Sequence, residues 1–190
     1  MKRLQVLLVD NNDSFTYNIV DAFRKIRGVQ LKVVRSNSIL KSHLEKADRI
    51  IISPGPGLPS EFPVLHTIIE FCKNNDTPLL GICLGHQAIG EFFGGEIMQM
   101  EEPFHGRREK CFIDTQTPLF QGLPKCIEVG LYHSWKVNSL PQEIRQTGVS
   151  STGIIMAIQH KQHEIFGIQF HPESFITQKG DRILSNFIAL

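Results

Sequence analysis

Pro78-Leu79-Leu80-Gly81-Ile82-Cys83-Leu84-Gly85-His86-Gln87 joins an apolar run, a small-residue turn and the start of an amphipathic pattern. The apolar part has the length and composition of a buried strand. From Leu84 onward, Ala88, Ile89, Phe92 and Phe93 repeat at helical spacing until Gly94 and Gly95 stop the pattern. A strand that turns at once into a helix at Gly81-x-Cys83-x-Gly85 is a thiol version of the nucleophile elbow. Small residues two positions either side of Cys83 let strand and helix approach closely, which lifts the thiol onto the carboxyl edge of a sheet. Open α/β sheets bind their ligands at that edge. The new helix presents unpaired N–H groups and a positive dipole end, which favour a thiolate and can hold an oxyanion. Taken alone, the pentapeptide also suits a small buried cysteine at a tight turn, so a partner base must separate the two readings.

Outward to the amino-terminal side, Leu4 to Val9 reads as a buried strand. A helix follows with Phe15, Ile19, Phe23 and Ile26 on one face, capped by Asp13 or Ser14 and stopped at Gly28. Gln30 to Val34 is strand-like, Leu40 and Leu44 mark a short helical pattern, and Arg49 to Ser53 has the density of a strand buried on both faces. After the turn-rich Pro54 to Pro59, a helix carries Val64, Leu65, Ile68, Ile69 and Cys72 inward. This β-α-β-α order implies right-handed crossovers and a parallel sheet covered by helices. On the carboxyl side the pattern changes to short strands near Glu96–Met100, Lys110–Asp114, Ile127–Leu131, Ile154–Gln159 and Glu164–Phe170. A last helix carries Ile183, Leu184, Phe187 and Ile188 on one face. No repeat or linker interrupts the chain. The expectation is one α/β domain over residues 1–190, an open, mostly parallel, flavodoxin- or Rossmann-like sheet flanked by helices, with an antiparallel elaboration.

Composition narrows the function classes. Hydrophobic residues make up 41% and charged residues 21%, as in globular domains, and the net charge of +1 removes the bulk electrostatic case for nucleic acid or an anionic membrane as partner. Met1-Lys2-Arg3 and the following apolar run have the outline of a short signal sequence, but Gln5 and Asp10 interrupt it, and a first strand fits better. No run of about 18 apolar residues is present to cross a bilayer. Cys72, Cys83, Cys111 and Cys126 show neither a C-x-x-C pair nor finger spacing, which points to a reducing cytoplasm.

A cysteine nucleophile needs an imidazole that keeps it ionised and later hands a proton to the leaving group. The strongest candidate is His171, in Gln169-Phe170-His171-Pro172-Glu173-Ser174 directly after a strand-like run. Two positions along, Glu173 points the same way and can orient the ring if the chain turns modestly at Pro172. Alone, His-Pro-Glu is an ordinary surface turn. Ser53-Pro54-Gly55-Pro56-Gly57 also follows a buried strand and reaches the same edge as Cys83. Because proline has no N–H, its useful oxyanion donor is at Gly57. The segment matches no phosphate-loop pattern. Tyr132-His133-Ser134-Trp135, holding the only tryptophan, lines a pocket or packs as an aromatic cluster. The pairs His160 with His163 and Cys83 with His86 lack further convergent ligands, so no metal site is expected.

Together GICLGHQ, YHS and QFHPES, in this order, resemble the class I (triad) glutamine amidotransferases. VDNNDSFTYN (Val9 to Asn18) and SPGPGLPSE (Ser53 to Glu61) resemble more narrowly the glutaminase subunits of anthranilate and aminodeoxychorismate synthases. The resemblance runs from about Leu4 to Phe187. It implies a thiol amidohydrolase that takes L-glutamine and supplies ammonia to a separate chorismate-using synthase subunit, in a heterodimer or heterotetramer. Cys83 matches the nucleophile, His171 the general acid and base, and Glu173 the carboxylate that orients it. Gly55, Pro56, Gly57 and Leu84 match backbone positions of the oxyanion and substrate pocket. Gln87, Ser134 and Trp135 match glutamine-binding positions. No cofactor is implied in this chain, and magnesium belongs to the synthase subunit.

Two positions depart from the family pattern. Trp135 stands where leucine is common after Tyr-His-Ser, and Arg107 replaces the usual lysine after His105-Gly106, keeping the charge but not the geometry. Apolar and basic residues near His105–Arg108 and around Trp135 form the expected docking face. Rival readings are the glutaminase of another pathway, such as GMP or carbamoyl phosphate synthesis, and a non-catalytic sensor using Cys83 as a reactive thiol. VDNNDSFTYN argues against the first, and the presence of both His171 and Glu173 against the second, since a sensor needs only a low-pKa thiol.

Overall fold

The computed structural model describes residues 3–190, so the reading of Met1 and Lys2 lies outside the described residues. The first half runs β1 (Leu4–Asp10), α1 (Thr16–Arg24), β2 (Val29–Arg35), α2 (Lys41–Leu44), β3 (Arg49–Ile52), α3 (Val64–Asn75), β4 (Leu79–Ile82) and α4 (Leu84–Phe92). The second half holds β5 (Ile97–Gln99), β6 (Arg107–Ile113), β7 (Cys126–Leu131), β8 (Trp135–Val137), β9 (Ile144–Ser150), β10 (Ile155–His160), β11 (Ile165–Ile168) and α5 (Gly180–Ile188). Nine strands form one sheet in the order β2-β1-β3-β4-β11-β10-β9-β6-β7, while β5 and β8 form a separate ribbon.

The first five strands of that order are parallel and the remaining pairings antiparallel. The parallel half is covered on both faces, and strand alternation sorts the two cores. Val6 and Leu8 of β1 face Ile19 and Phe23 of α1 and Leu184 and Phe187 of α5. Leu7 and Val9 face the side of Leu65 and Ile68 of α3 and Ala88 and Ile89 of α4.

The antiparallel half curls back on the parallel half. Although β7 is the last strand of the order, its Gly130 carbonyl accepts from the His171 N–H at 3.1 Å, just past β11. Thr177 Oγ1 accepts from the Gly130 N–H at 3.0 Å and donates to the His171 carbonyl at 2.6 Å, closing the seam.

Several local expectations are corrected. Asp13 does not cap α1; its carboxylate accepts from the Phe15 N–H at 2.7 Å and fixes the turn before the helix. Ile26 lies beyond α1, and Leu40 is exposed. Helix α4 is buried on all sides from Leu84 to Gly90, while Phe92 and Phe93 are only partly covered, so its early turns are sheathed rather than striped. Strands β8 and β9 were not foreseen. The first has three residues, and the pairing of β9 with β10 slips at Ala157, breaking the alternation that marks a strand. Among the described residues no helix is long and apolar enough to cross a membrane.

Candidate active site

The carboxyl ends of β1, β3, β4 and β11 deliver the site. At the end of β4, Cys83 adopts φ 53° and ψ −98°, a conformation that L-residues rarely take, at a typical cost of about 1–3 kcal/mol. It is held by its N–H donating to the Ile168 carbonyl of β11 at 2.8 Å. Gly85 allows the close packing this demands, because a Cβ there would lie 2.8 Å from the Ile52 carbonyl of β3. Leu84 opens α4 beside the thiol, and its side chain packs under Gly55, whose own Cβ would fall 2.7 Å from that of Asn11.

His171 follows β11 and is almost completely buried. Its Nδ1 meets Glu173 Oε1 at 2.7 Å, so the turn at Pro172 brings the ring and carboxylate together as the sequence suggested. With Nδ1 engaged, Nε2 is left for the thiol. Burial alone would push the imidazolium down, but the Cys83 sulfur beside the ring and the Glu173 carboxylate on Nδ1 outweigh it and raise the pKa to about 10. Phe15 and Tyr132 pack edgewise on the ring, with centroids 5.1 and 4.9 Å away, and the Tyr132 hydroxyl lies 3.0 Å from Ser174 Oγ.

A cleft of about 160 Å³ opens over Cys83, lined by Gly55, Pro56, Gly57, Gln87, Tyr132, His133, Ser134 and Trp135. Of the residues singled out from the sequence, Cys83, Gly55, Pro56, Gly57, Gln87, Ser134 and Trp135 meet at this cleft, while Leu84, His171 and Glu173 are not among its lining. Gly57 has φ 71°, and the Glu61 carboxylate braces the loop by accepting from the Leu58 N–H at 2.8 Å. The Trp135 carbonyl turns inward, accepting from Gln87 Nε2 at 2.8 Å and facing His133 Nδ1 at 2.8 Å. Since a carbonyl only accepts, Nδ1 carries the proton. Burial, with the nearby His171 charge adding, pushes the His133 pKa down to about 4 despite the hydrogen bond to Trp135, so this imidazole is neutral.

Three contributors to the site were not foreseen from the sequence, which placed Phe15 on the inward face of α1 although it precedes that helix. Asn11 donates its side-chain N–H to the Ser53 carbonyl at 2.9 Å and its backbone N–H to Ser53 Oγ at 3.0 Å, which ties the amino-terminal motif to the Gly55–Gly57 loop. Phe15 supports His171. Gln169, fully buried, donates to Cys83 Sγ at 3.6 Å. In the segment around His105–Arg108, Arg107 lies over the Phe104 ring at 4.7 Å and Arg108 pairs with Glu128 at 2.8 Å. His163 is engaged with Asp76 at 2.7 Å, and its ring packs on that of His160 with centroids 4.7 Å apart.

Comparison with known proteins agrees with this geometry. The family model described as glutamine amidotransferase class-I matches residues 7–190. Anthranilate synthase component 2 of Mycobacterium tuberculosis is 39% identical over 97% of this chain and 82% of its own length. Aminodeoxychorismate synthase of Streptomyces griseus is 39% identical over 97% of this chain, which spans only 26% of that longer protein. A solved structure from Thermoplasma acidophilum, described as that of a GMP synthase subunit, superposes with a TM-score of 0.89 at 30% identity, covering 100% of this chain and 94% of the other.

Proposed function

The chain belongs to the class I glutamine amidotransferases, and from that membership we propose that it hydrolyses L-glutamine at Cys83 and passes the ammonia to a separate chorismate-using synthase subunit. The observation that carries the reading is the buried His171–Glu173 pair beside a strained Cys83 at the floor of the cleft. The amino-terminal motif and the near-full-length similarity to anthranilate synthase component 2 support the chorismate pathway.

In this mechanism the Cys83 sulfur bonds to the carboxamide carbon of glutamine, and the carbonyl electron pair moves to oxygen. The Leu84 N–H, without an acceptor in the first turn of α4, and the Gly57 N–H hold that oxyanion. With its pKa raised to about 10, His171 is an imidazolium at neutral pH and gives its proton to the nitrogen as the C–N bond breaks, releasing ammonia. Water then attacks the thioester, His171 takes its proton, and the C–S bond breaks to return thiolate and glutamate. Gln87 spends its N–H groups on Trp135 and Gln169, so its oxygen is what it offers to glutamine beside Ser134 and Trp135. Magnesium belongs with the synthase subunit.

The Thermoplasma similarity favours a second reading, a glutaminase serving a GMP synthase. Partner choice separates the two. Mixing the chain with each chorismate-using synthase subunit of its source, plus chorismate, glutamine and magnesium, is expected to give glutamine-dependent anthranilate or aminodeoxychorismate that Cys83→Ser abolishes. If free ammonia supports every synthase while glutamine with this chain supports none, the chorismate assignment is wrong.

A further inference from the structure

Among the polar groups that meet at Cys83, Gln169 is the one the mechanism above does not use. Its orientation follows from a chain of hydrogen bonds with a fixed end. The Trp135 carbonyl can only accept, so the Gln87 amide nitrogen must be the atom 2.8 Å from it. The same nitrogen lies 3.2 Å from Gln169, which must turn its oxygen toward it. Gln169 Nε2 is thereby left facing Cys83 Sγ at 3.6 Å. Gln169 is fully buried and Gln87 nearly so, so neither amide can trade its partner for solvent.

We propose that Gln169 is a catalytic residue whose side-chain N–H donates to the Cys83 sulfur and stabilises it as the thiolate. The proposal rests on the glutaminase reading and adds a donor to it. A thiolate accepts this hydrogen bond strongly, whereas a thioester sulfur accepts it weakly, because charge-assisted hydrogen bonds are roughly twice as strong as neutral ones. The interaction therefore acts where sulfur carries charge. It holds the thiolate before attack. It meets the returning electron pair when the oxygen of water has bonded to the acyl carbon, His171 has taken the proton, and the C–S bond breaks. Gln87 acts through Gln169 as a positioning residue, and it links the Trp135 wall of the cleft to the nucleophile.

The test follows iodoacetamide alkylation of the full-length chain as a function of pH, reading the Cys83 peptide by mass spectrometry because exposed Cys126 also reacts. Gln169→Met is expected to move the Cys83 alkylation midpoint up by about one pH unit. It should lower the glutaminase kcat about tenfold with KM within about twofold. Gln87→Met, which leaves Gln169 in place but unanchored, is expected to move the midpoint the same way by less. An unmoved midpoint in folded Gln169→Met, or in Gln87→Met should the first fail to fold, overturns the proposal. Alkylation needs no glutamine, so the two readings fail separately. Absent glutaminase activity in the parent chain with its synthase, or activity surviving in Cys83→Ser, removes the hydrolase reading. A normal parent with an unmoved midpoint removes only the role of Gln169.

Discussion

At the scale of the residue, catalysis here depends on holding one sulfur and one ring in conformations they would not keep by themselves. Cys83 is locked by its N–H on Ile168, and His171 by Glu173 on one nitrogen and by Phe15 and Tyr132 on its faces. Glu173 does two things: it fixes the tautomer, and it raises the imidazolium pKa together with Cys83. Glu173→Gln is therefore expected to cut kcat about tenfold, in the range of orienting partners elsewhere. The alkaline limb of the kcat/KM profile should move to lower pH, since one of the interactions that favour the charged ring is gone. An unchanged alkaline limb would mean that Cys83 alone sets the titration. The triad was legible in the sequence because its chemistry sits in short motifs at strand ends. Asn11, Phe15 and Gln169 were not, since Asn11 acts on Ser53 across 42 positions and Gln169 on Cys83 across 86. No local pattern marks such contacts.

At the scale of the element, the junction of β4 and α4 carries most of the constraint. Gly85→Ala would set a methyl 2.8 Å from the Ile52 carbonyl and 2.9 Å from the Ile52 Cβ. The expected cost is about 1–3 kcal/mol in urea unfolding, with activity falling as α4 is pushed off β3. A variant as stable and active as the parent would show that the close approach is dispensable. The same helix fully buries His86, and burial pushes its pKa down to about 3 despite the opposing effect of the Gly167 backbone. Below about pH 6.5 the unfolded imidazole takes up a proton that the folded one refuses until about pH 3. The unfolded state then binds more protons, and stability falls as pH falls through that window. His133, lowered to about 4, adds to the same loss. The urea midpoint should drop between pH 7 and 4.5, and it should drop less in His86→Met; equal drops would mean that the carboxylates dominate. The strands and helices of the parallel half were readable because each has a continuous apolar run or stripe. Strand β9 was not, because its bulged pairing with β10 breaks the two-residue period.

At the scale of the whole molecule, the site exists only when the sheet has closed. Cys83 and His171 follow adjacent parallel strands, but Tyr132–Trp135 arrive from β7, at the far end of the strand order, and reach the cleft through the seam at Gly130, His171 and Thr177. The sequence implied an antiparallel elaboration without implying this return, since pairing order is fixed by tertiary packing. Thr177→Val keeps the shape but removes the bridging hydroxyl, leaving the buried Gly130 N–H unpaired. It should cost about 1–3 kcal/mol and lower kcat by loosening the His171 turn. Loss of stability at full kcat would separate the seam from the site.

The central claim is that Cys83 is a glutamine-directed nucleophile and not simply a reactive thiol. A chloroketone analogue of glutamine, incubated with the chain and its synthase partner, tests it most directly by peptide mass spectrometry. The expected result is one adduct, on Cys83, that glutamine prevents, with glutaminase activity lost in step with labelling. Labelling spread over Cys83 and Cys126, indifferent to glutamine, would contradict the account and leave a thiol without a substrate.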